Sequence, residues 1–237
     1  KCLEEVVGDG QHLVGPLTRD MVTKRLGTSE WVPCPRFCIN QGGDPRAIDD
    51  GSFFMQNSTV TRTFKLTLGG VDEVAGVANA WIRGIGMDGS VRLKLSTGRV
   101  LTGQLHGEWT IESAKALVGR LADMKKAYKQ LAGKPAHTKY FVIAVYDPEL
   151  DDVVLFLSPT LLFGETAAVY AFNRVAKFVT AVLVRGAGLI VSPYYDDWSQ
   201  VEARALAESA EKTLKKVFKT LGFELSTKPE KDKAFDE

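Results

Sequence analysis

The stretch GLIVSPYYDD at residues 188–197 constrains the fold more than any other part of the chain. Apolar and β-branched residues run up to Tyr194-Tyr195-Asp196-Asp197, and polar, turn-like residues follow at once. A strand that ends on two adjacent carboxylates requires a tight turn. Like charges held that close repel unless cations occupy the turn or solvent reaches it freely. The pair alone is a weak signal. Asp49-Asp50 and Asp151-Asp152 occur in the same chain, and the second of these reads most simply as a solvated hairpin tip.

The surrounding pattern sets the fold class. Residues 117–123 read as a short apolar strand ending at Asp123. Residues 140–147 (YFVIAVYD) and 153–157 (VVLFL) read as strands joined by the polar loop Asp147 to Asp152. A second hairpin is expected over 91–105, turning at Ser96-Thr97-Gly98. Val71, Val74, Val77 and Trp81 repeat at helical spacing. Residues 165–185 are apolar nearly all round and predict a buried helix. Residues 200–221 predict an amphipathic helix with Leu214, Val217, Phe218 and Leu221 on one face, Ser199 as N-cap and Gly222 as C-cap. The N-terminal third, with Pro16, Pro33, Pro35, Pro45 and Gly42-Gly43, reads as irregular. Hairpins mixed with long crossovers imply an α+β layer, not a doubly wound sheet.

Composition narrows the function less. The chain has 237 residues, 45% hydrophobic and 25% charged, with a formal net charge of +1. That balance neither requires nor excludes nucleic acid, because an acidic metal site can offset a basic groove. No apolar run is expected to reach the roughly 18 residues of a membrane span, and residues 1–15 carry no secretory signal pattern. The start at Lys1 suggests a processed chain or a piece of a longer one. Cys2, Cys34 and Cys38 form no paired framework, which favours a reducing, intracellular compartment over secretion. Cys34 and Cys38 are either half of a zinc site or buried thiols beside a strand. Asn57-Ser58-Thr59 matches a glycosylation acceptor by chance.

Order and spacing strengthen the acidic turn. Asp123 is followed five residues on by Tyr128. About forty residues past Asp123, Leu162-Phe163-Gly164 opens a helix, and the Tyr-Tyr-Asp-Asp turn comes next. Over residues 36–237 this series resembles the reverse transcriptases, in particular retroelement enzymes of protists such as dinoflagellates. Their palm shows an aspartate with an aromatic five residues later, then a glycine-led helix, then an aromatic-x-Asp-Asp turn.

The resemblance implies a right-hand polymerase palm, an antiparallel sheet with helices on one face, joined to fingers. Residues 1–115 would be a fingers-like region and 116–129 the first palm motif. Residues 130–162 would be a fingers hairpin and 163–237 the rest of the palm. The thumb of such enzymes is absent from these residues. The implied activity is RNA-directed DNA synthesis on a template–primer with deoxynucleoside triphosphates and two Mg2+ or Mn2+ ions. Asp123 and Asp196 would bridge the ions, with Asp197 the weaker third ligand. Arg46 would hold the triphosphate, although Asp44 stands where the family often has lysine. Tyr128 would select against a 2′-hydroxyl. Phe163 and Gly164 would pack against the nascent base pair, with Leu162 replacing the usual proline. Tyr195 belongs to the catalytic turn, and Lys228 takes the place of a palm lysine near pyrophosphate.

Blander readings stand beside these: Asp123 as a helix N-cap, Tyr128 as a half-buried core aromatic, Lys228 as a solvated tail charge. A second class of function keeps the fold as a non-catalytic scaffold or RNA-binding subunit of a larger assembly. An RNA polymerase or an unrelated α+β protein is the remaining reading. No membrane partner is expected.

Overall fold

The computed structural model describes residues 12–61, 64–228, 231–232 and 234–236, except the side chains of Gln41, Asp44 and Pro45. Cys2 and the Asp44 side chain, both weighed above, lie outside what is described. The strands are β1 (Val14–Leu17), β2 (Pro33–Gln41), β3 (Asp44–Asp49), β4 (Ser90–Lys94), β5 (Val100–Gln104), β6 (Leu117–Asp123), β7 (Val142–Asp147), β8 (Asp152–Leu157), β9 (Val191–Tyr194) and β10 (Asp197–Ala203). The α-helices are α1 (Arg19–Leu26), α2 (Val71–Gly84), α3 (Ile111–Lys115), α4 (Thr166–Ala181) and α5 (Ala207–Thr220). The fold is mixed α+β, in two compact units. One holds the described residues up to Leu66 together with Lys126–Asn173, and the other holds Thr67–Lys125 and the chain from Arg174 onward.

The first unit is built on a five-stranded sheet in the order β1-β8-β7-β2-β3. The expected hairpin β7–β8 pairs from Ile143↔Phe156 to Asp147↔Asp152. Alternation along these strands serves two cores. Ile143, Val145 and Phe156 pack with Leu13 and Leu162, whereas Val142, Leu155 and Leu157 pack with Leu17 and Val22. The N-terminal third is more regular than its prolines suggest. Thr18 caps α1 by accepting from the Met21 amide, and Gly27 ends it in the left-handed region at φ 67°. β2 and β3 form a hairpin whose two-residue turn is Gly42-Gly43, at φ 62° and 95°, where glycine avoids a side-chain clash. Pro33 and Pro35, which have no amide to donate, serve as acceptors: the Gln56 side chain donates to the Pro33 carbonyl and the Asp50 amide to that of Pro35.

The second unit holds an antiparallel three-stranded sheet, β6-β10-β9, and the separate hairpin β4–β5. The hairpin turns at Gly98, as its sequence predicts. β10 corrects the sequence reading. Residues 197–203 are a strand paired with β6 along its whole length, so Ser199 lies mid-strand opposite Leu121 and is no N-cap. The helix begins only at Ala207, with no side-chain cap at Leu206. DWSQVEA alternates half-buried and buried positions with period two as far as Glu202, and that pairing wins over the weaker helical pattern. The far end of α5 is as expected: Gly222 lies at φ 82°, the Phe223 amide bonds the Phe218 carbonyl and the Gly222 amide that of Lys219.

One face of this sheet is packed. Trp198 is buried edge-on against Phe218 of α5 with ring centroids 4.9 Å apart, and its indole donates to Thr180 at 3.1 Å. Ala210, Leu214 and Phe218 line the buried face of α5. α4 departs from its expected burial, since Phe178 is 57% exposed. With the π-turn Val182–Gly186 it forms 21 helical residues of mean hydropathy 1.4, apolar and long enough to cross a membrane by length and composition, a test that core helices also pass. The expectation that no stretch reaches such a length is corrected accordingly. The outer edge of β6 is covered by a later segment through the pairs Met124↔Leu225, Ala122↔Asp232 and Gly119↔Asp236.

Candidate active site

The carboxylates gather at one end of the β6-β10-β9 sheet. Asp123 is the last residue of β6 and Asp197 the first of β10, and the two are direct cross-strand partners. Tyr194 closes the β9–β10 hairpin opposite Asp197, leaving Tyr195-Asp196 as a two-residue turn. Tyr195 takes φ 53°, a left-handed conformation that costs a side-chain-bearing residue energy and marks a turn held in place by its surroundings. The turn is tied down by the Met124 amide, which donates to the Asp196 carbonyl at 3.0 Å. Asp123 therefore ends a strand and caps no helix.

Residues opposite one another across a sheet share a face, so Asp123, Asp197, Leu121, Ser199, Ser192 and Tyr194 project to one side. The packed side carries Ala122, Trp198, Arg120 and Gln200, all buried. On the carboxylate side a cavity of about 500 Å³ opens, lined by Asp197, Tyr194 and Leu121 and by Gly70, Val71 and Val74 at the start of α2. Glu73 of α2 accepts from Ser192 at 2.8 Å, and the Gly69 amide donates to Pro193, which fixes that wall.

The electrostatics follow from the crowding. Burial first, and then the charges of Asp196 and Asp123, push Asp197 up to about 6 from its ordinary value. A hydrogen bond that protonated Asp197 gives to Asp123 adds to the rise, and the Lys231 ammonium partly offsets it. Lys231 is the residue that the sequence reading missed. Its Nζ lies 2.9 and 3.0 Å from the two oxygens of buried Asp123. Lys228, the lysine singled out from the sequence, is exposed; its carbonyl accepts from the Lys231 and Asp232 amides.

Among the described residues no group of three His, Cys, Asp or Glu side chains converges to hold a metal. What converges is the pair Asp123 and Asp197, with Asp196 next to it in the turn. A pair of this kind suits magnesium, which binds through one or two carboxylates and takes its other oxygens from substrate phosphates and water. Cys34 and Cys38 do not make half a zinc site. Cys38 is disulfide-bonded, correcting the expectation of unpaired cysteines, and Cys34 is buried with its thiol pushed up to about 12, chiefly by burial.

The first unit gathers a second set of predicted residues. The Arg46 guanidinium lies 5.2 Å from the centre of the Phe163 ring. Tyr128 meets Phe163 edge-on at 5.9 Å and stacks on buried Phe172 at 5.0 Å. Phe163 is 45% exposed, so its ring is available beside a cation. Tyr128 reaches this cluster because Lys126 turns the chain at φ 47° into a short 3-10 helix, Ala127–Gln130.

Gly164 is required by the protein itself. It lies at φ 111°, and a Cβ there would overlap the Asp49 carbonyl oxygen. Asp49 is fixed in turn by Arg36, whose guanidinium donates to its two oxygens at 2.7 and 2.9 Å. Asn57 donates to the Gly164 carbonyl and accepts from the Thr166 amide, which ties its side chain to the start of α4. Glu165, the next residue after Gly164, is pushed up to about 7 by burial.

No family model matches this chain, and no curated protein matches it.

Proposed function

We propose that this chain carries the fingers and palm of a reverse transcriptase, which extends a primer 3′-hydroxyl with deoxynucleotides on a nucleic-acid template. The observation that carries the reading is the cross-strand pairing of Asp123 with Asp197 beside a two-residue turn that holds Asp196. The sequence order of aspartate, aromatic, glycine-led helix and acidic turn supports it independently. A three-stranded antiparallel sheet with α4 and α5 packed on its Trp198 face, and the carboxylates beside the start of α2 on the other, is compatible with a palm.

Each unit has its own part in this reading. In the second unit Asp123, Asp197 and Asp196 would hold divalent ions, Mg2+ or Mn2+. Bound there, the ions supply activation of the attacking hydroxyl and neutralisation of the charge that develops on the phosphates. Asp197, raised to about 6, is largely ionised at neutral pH and able to act as a ligand. Tyr195 holds the strained turn that presents Asp196 and Asp197. In the first unit Arg46, on the exposed ring of Phe163, offers a guanidinium fork for phosphate oxygens. Tyr128, braced between Phe163 and Phe172, offers a ring edge that would exclude a 2′-hydroxyl. Gly164 keeps Phe163 in position through its close approach to Asp49.

A non-catalytic scaffold is the second reading. One observation favours it: Lys231 already neutralises Asp123, as a purely structural carboxylate would require. Primer extension decides between the two. On an RNA template with a DNA primer and magnesium, the parent chain is expected to add deoxynucleotides. Asp123→Asn is expected to add none while remaining folded by circular dichroism. A parent no more active than Asp123→Asn would support the scaffold.

A further inference from the structure

We propose that Lys231 is a built-in counter-ion which holds Asp123 in the metal-free chain, and that a divalent ion binding at Asp123 and Asp197 must displace it. This inference rests on the metal-site reading above and adds a competing residue to it.

The geometry sets up the competition. Lys231 Nζ sits almost equidistant from both oxygens of Asp123, at 2.9 and 3.0 Å, on the line along which a carboxylate meets a cation. Magnesium needs such oxygens at about 2.0–2.1 Å, so ion and ammonium would stand at contact distance and repel. Asp123 has little other access, being 6% exposed. Lys231 can leave, because nearly half of its side chain is exposed and the stem is flexible.

The backbone around Lys231 favours departure of the side chain over unfolding of the segment. Before it, the Ser226 amide donates to the Asp123 carbonyl at 2.8 Å, and the Lys125 amide to Glu224 at 3.0 Å. After it, Asp232 pairs with the buried Arg120 side chain and accepts from Lys215 at 2.8 Å. Farther on, Asp236 exchanges two backbone bonds with Gly119. Lys231 thus lies between two anchored points along β6. Displacing it frees one side chain and leaves both anchors in place.

The consequence is a threshold on metal binding. The ion–Asp123 contact replaces an existing ion pair, so affinity is lower than the carboxylates alone would give. Removing the ammonium should raise it.

The test is Mn2+ titration of the whole chain, followed by the paramagnetic resonance of free Mn2+. Parent, Lys231→Gln, Lys231→Arg and Asp123→Asn would be compared, each checked for folding by circular dichroism. Lys231→Gln is expected to bind Mn2+ roughly fivefold or more tightly than the parent, within the usual range of coupling between linked sites. Lys231→Arg, which keeps the charge, is expected to stay near the parent, and Asp123→Asn to lose the site. Exchange of the Lys231 amide, which donates to the Lys228 carbonyl, is expected to quicken in the parent with Mn2+, and exchange at Gly119 and Ala122 to stay unchanged. Binding to Lys231→Gln alone would also support the inference, as complete blockade. If parent and Lys231→Gln bind equally through Asp123, the counter-ion inference is overturned and the metal site stands. If neither binds, the metal-site reading fails and the inference with it.

Discussion

Asp123 closes β6 directly opposite Asp197, which opens β10, so two carboxylates face each other across the last rung of an antiparallel ladder. Like charges directly opposite in a sheet destabilise it. The arrangement is tolerated because Lys231 neutralises Asp123 and because Asp197 takes up protons more readily than an ordinary carboxyl.

Burial of Asp197, with that repulsion added to it, predicts a pH dependence. Asp197 titrates near 3.8 in the unfolded chain and at about 6 in the folded one, so between these values the folded state binds more protons. Its effect on stability is nil below the lower value. The penalty grows as pH rises and is complete above about 6. Asp197→Asn removes it, so the mutant should gain on the parent in chemical denaturation between pH 4 and 7. A difference between the two chains that does not change with pH would refute the raised Asp197 carboxyl.

Gly164→Ala should destabilise the first unit by about 2–4 kcal/mol, since alanine both resists a φ of 111° and meets the Asp49 carbonyl. Urea denaturation measures this. A loss under about 0.5 kcal/mol, the size of an ordinary surface change, would mean that Asp49 moves aside freely.

Tyr128→Val tests the role assigned to the aromatic cluster. The substitution should admit ribonucleotides and leave deoxynucleotide addition comparatively intact in primer extension. It should also loosen the packing of Phe163, because Tyr128 contacts Phe163 edge-on and stacks on Phe172. Unchanged discrimination with lowered stability would make Tyr128 a core aromatic only.

The parts legible in the sequence were those whose signal is local. Strand β6 ends at Asp123, the hairpins around Gly98 and residues 147–152 form, and α2 covers the expected residues. Each rests on a period or a turn residue readable within a dozen positions. The misreadings came from long-range pairing. Residues 197–203 are a strand because β6 and β9 accept them on both sides, and no window around Ser199 contains that information. α4 is apolar yet exposes Phe178, since burial depends on what packs there and not on composition alone. Lys231 stands in a run rich in charge, Lys228 to Glu237, where no local pattern singles it out. Its contact joins residues 108 positions apart, made only because Leu225 and Asp232 run along β6. The Arg36–Asp49 pair likewise appears only once β2 and β3 are in register.

The most direct measurement of the metal-site reading is anomalous diffraction from crystals of the whole chain soaked in Mn2+. The expected result is an anomalous peak within coordination distance, about 2.0–2.3 Å, of carboxylate oxygens of both Asp123 and Asp197, with Lys231 moved off Asp123. A map without such a peak at saturating Mn2+, with Lys231 still seated on both oxygens of Asp123, would contradict the polymerase reading.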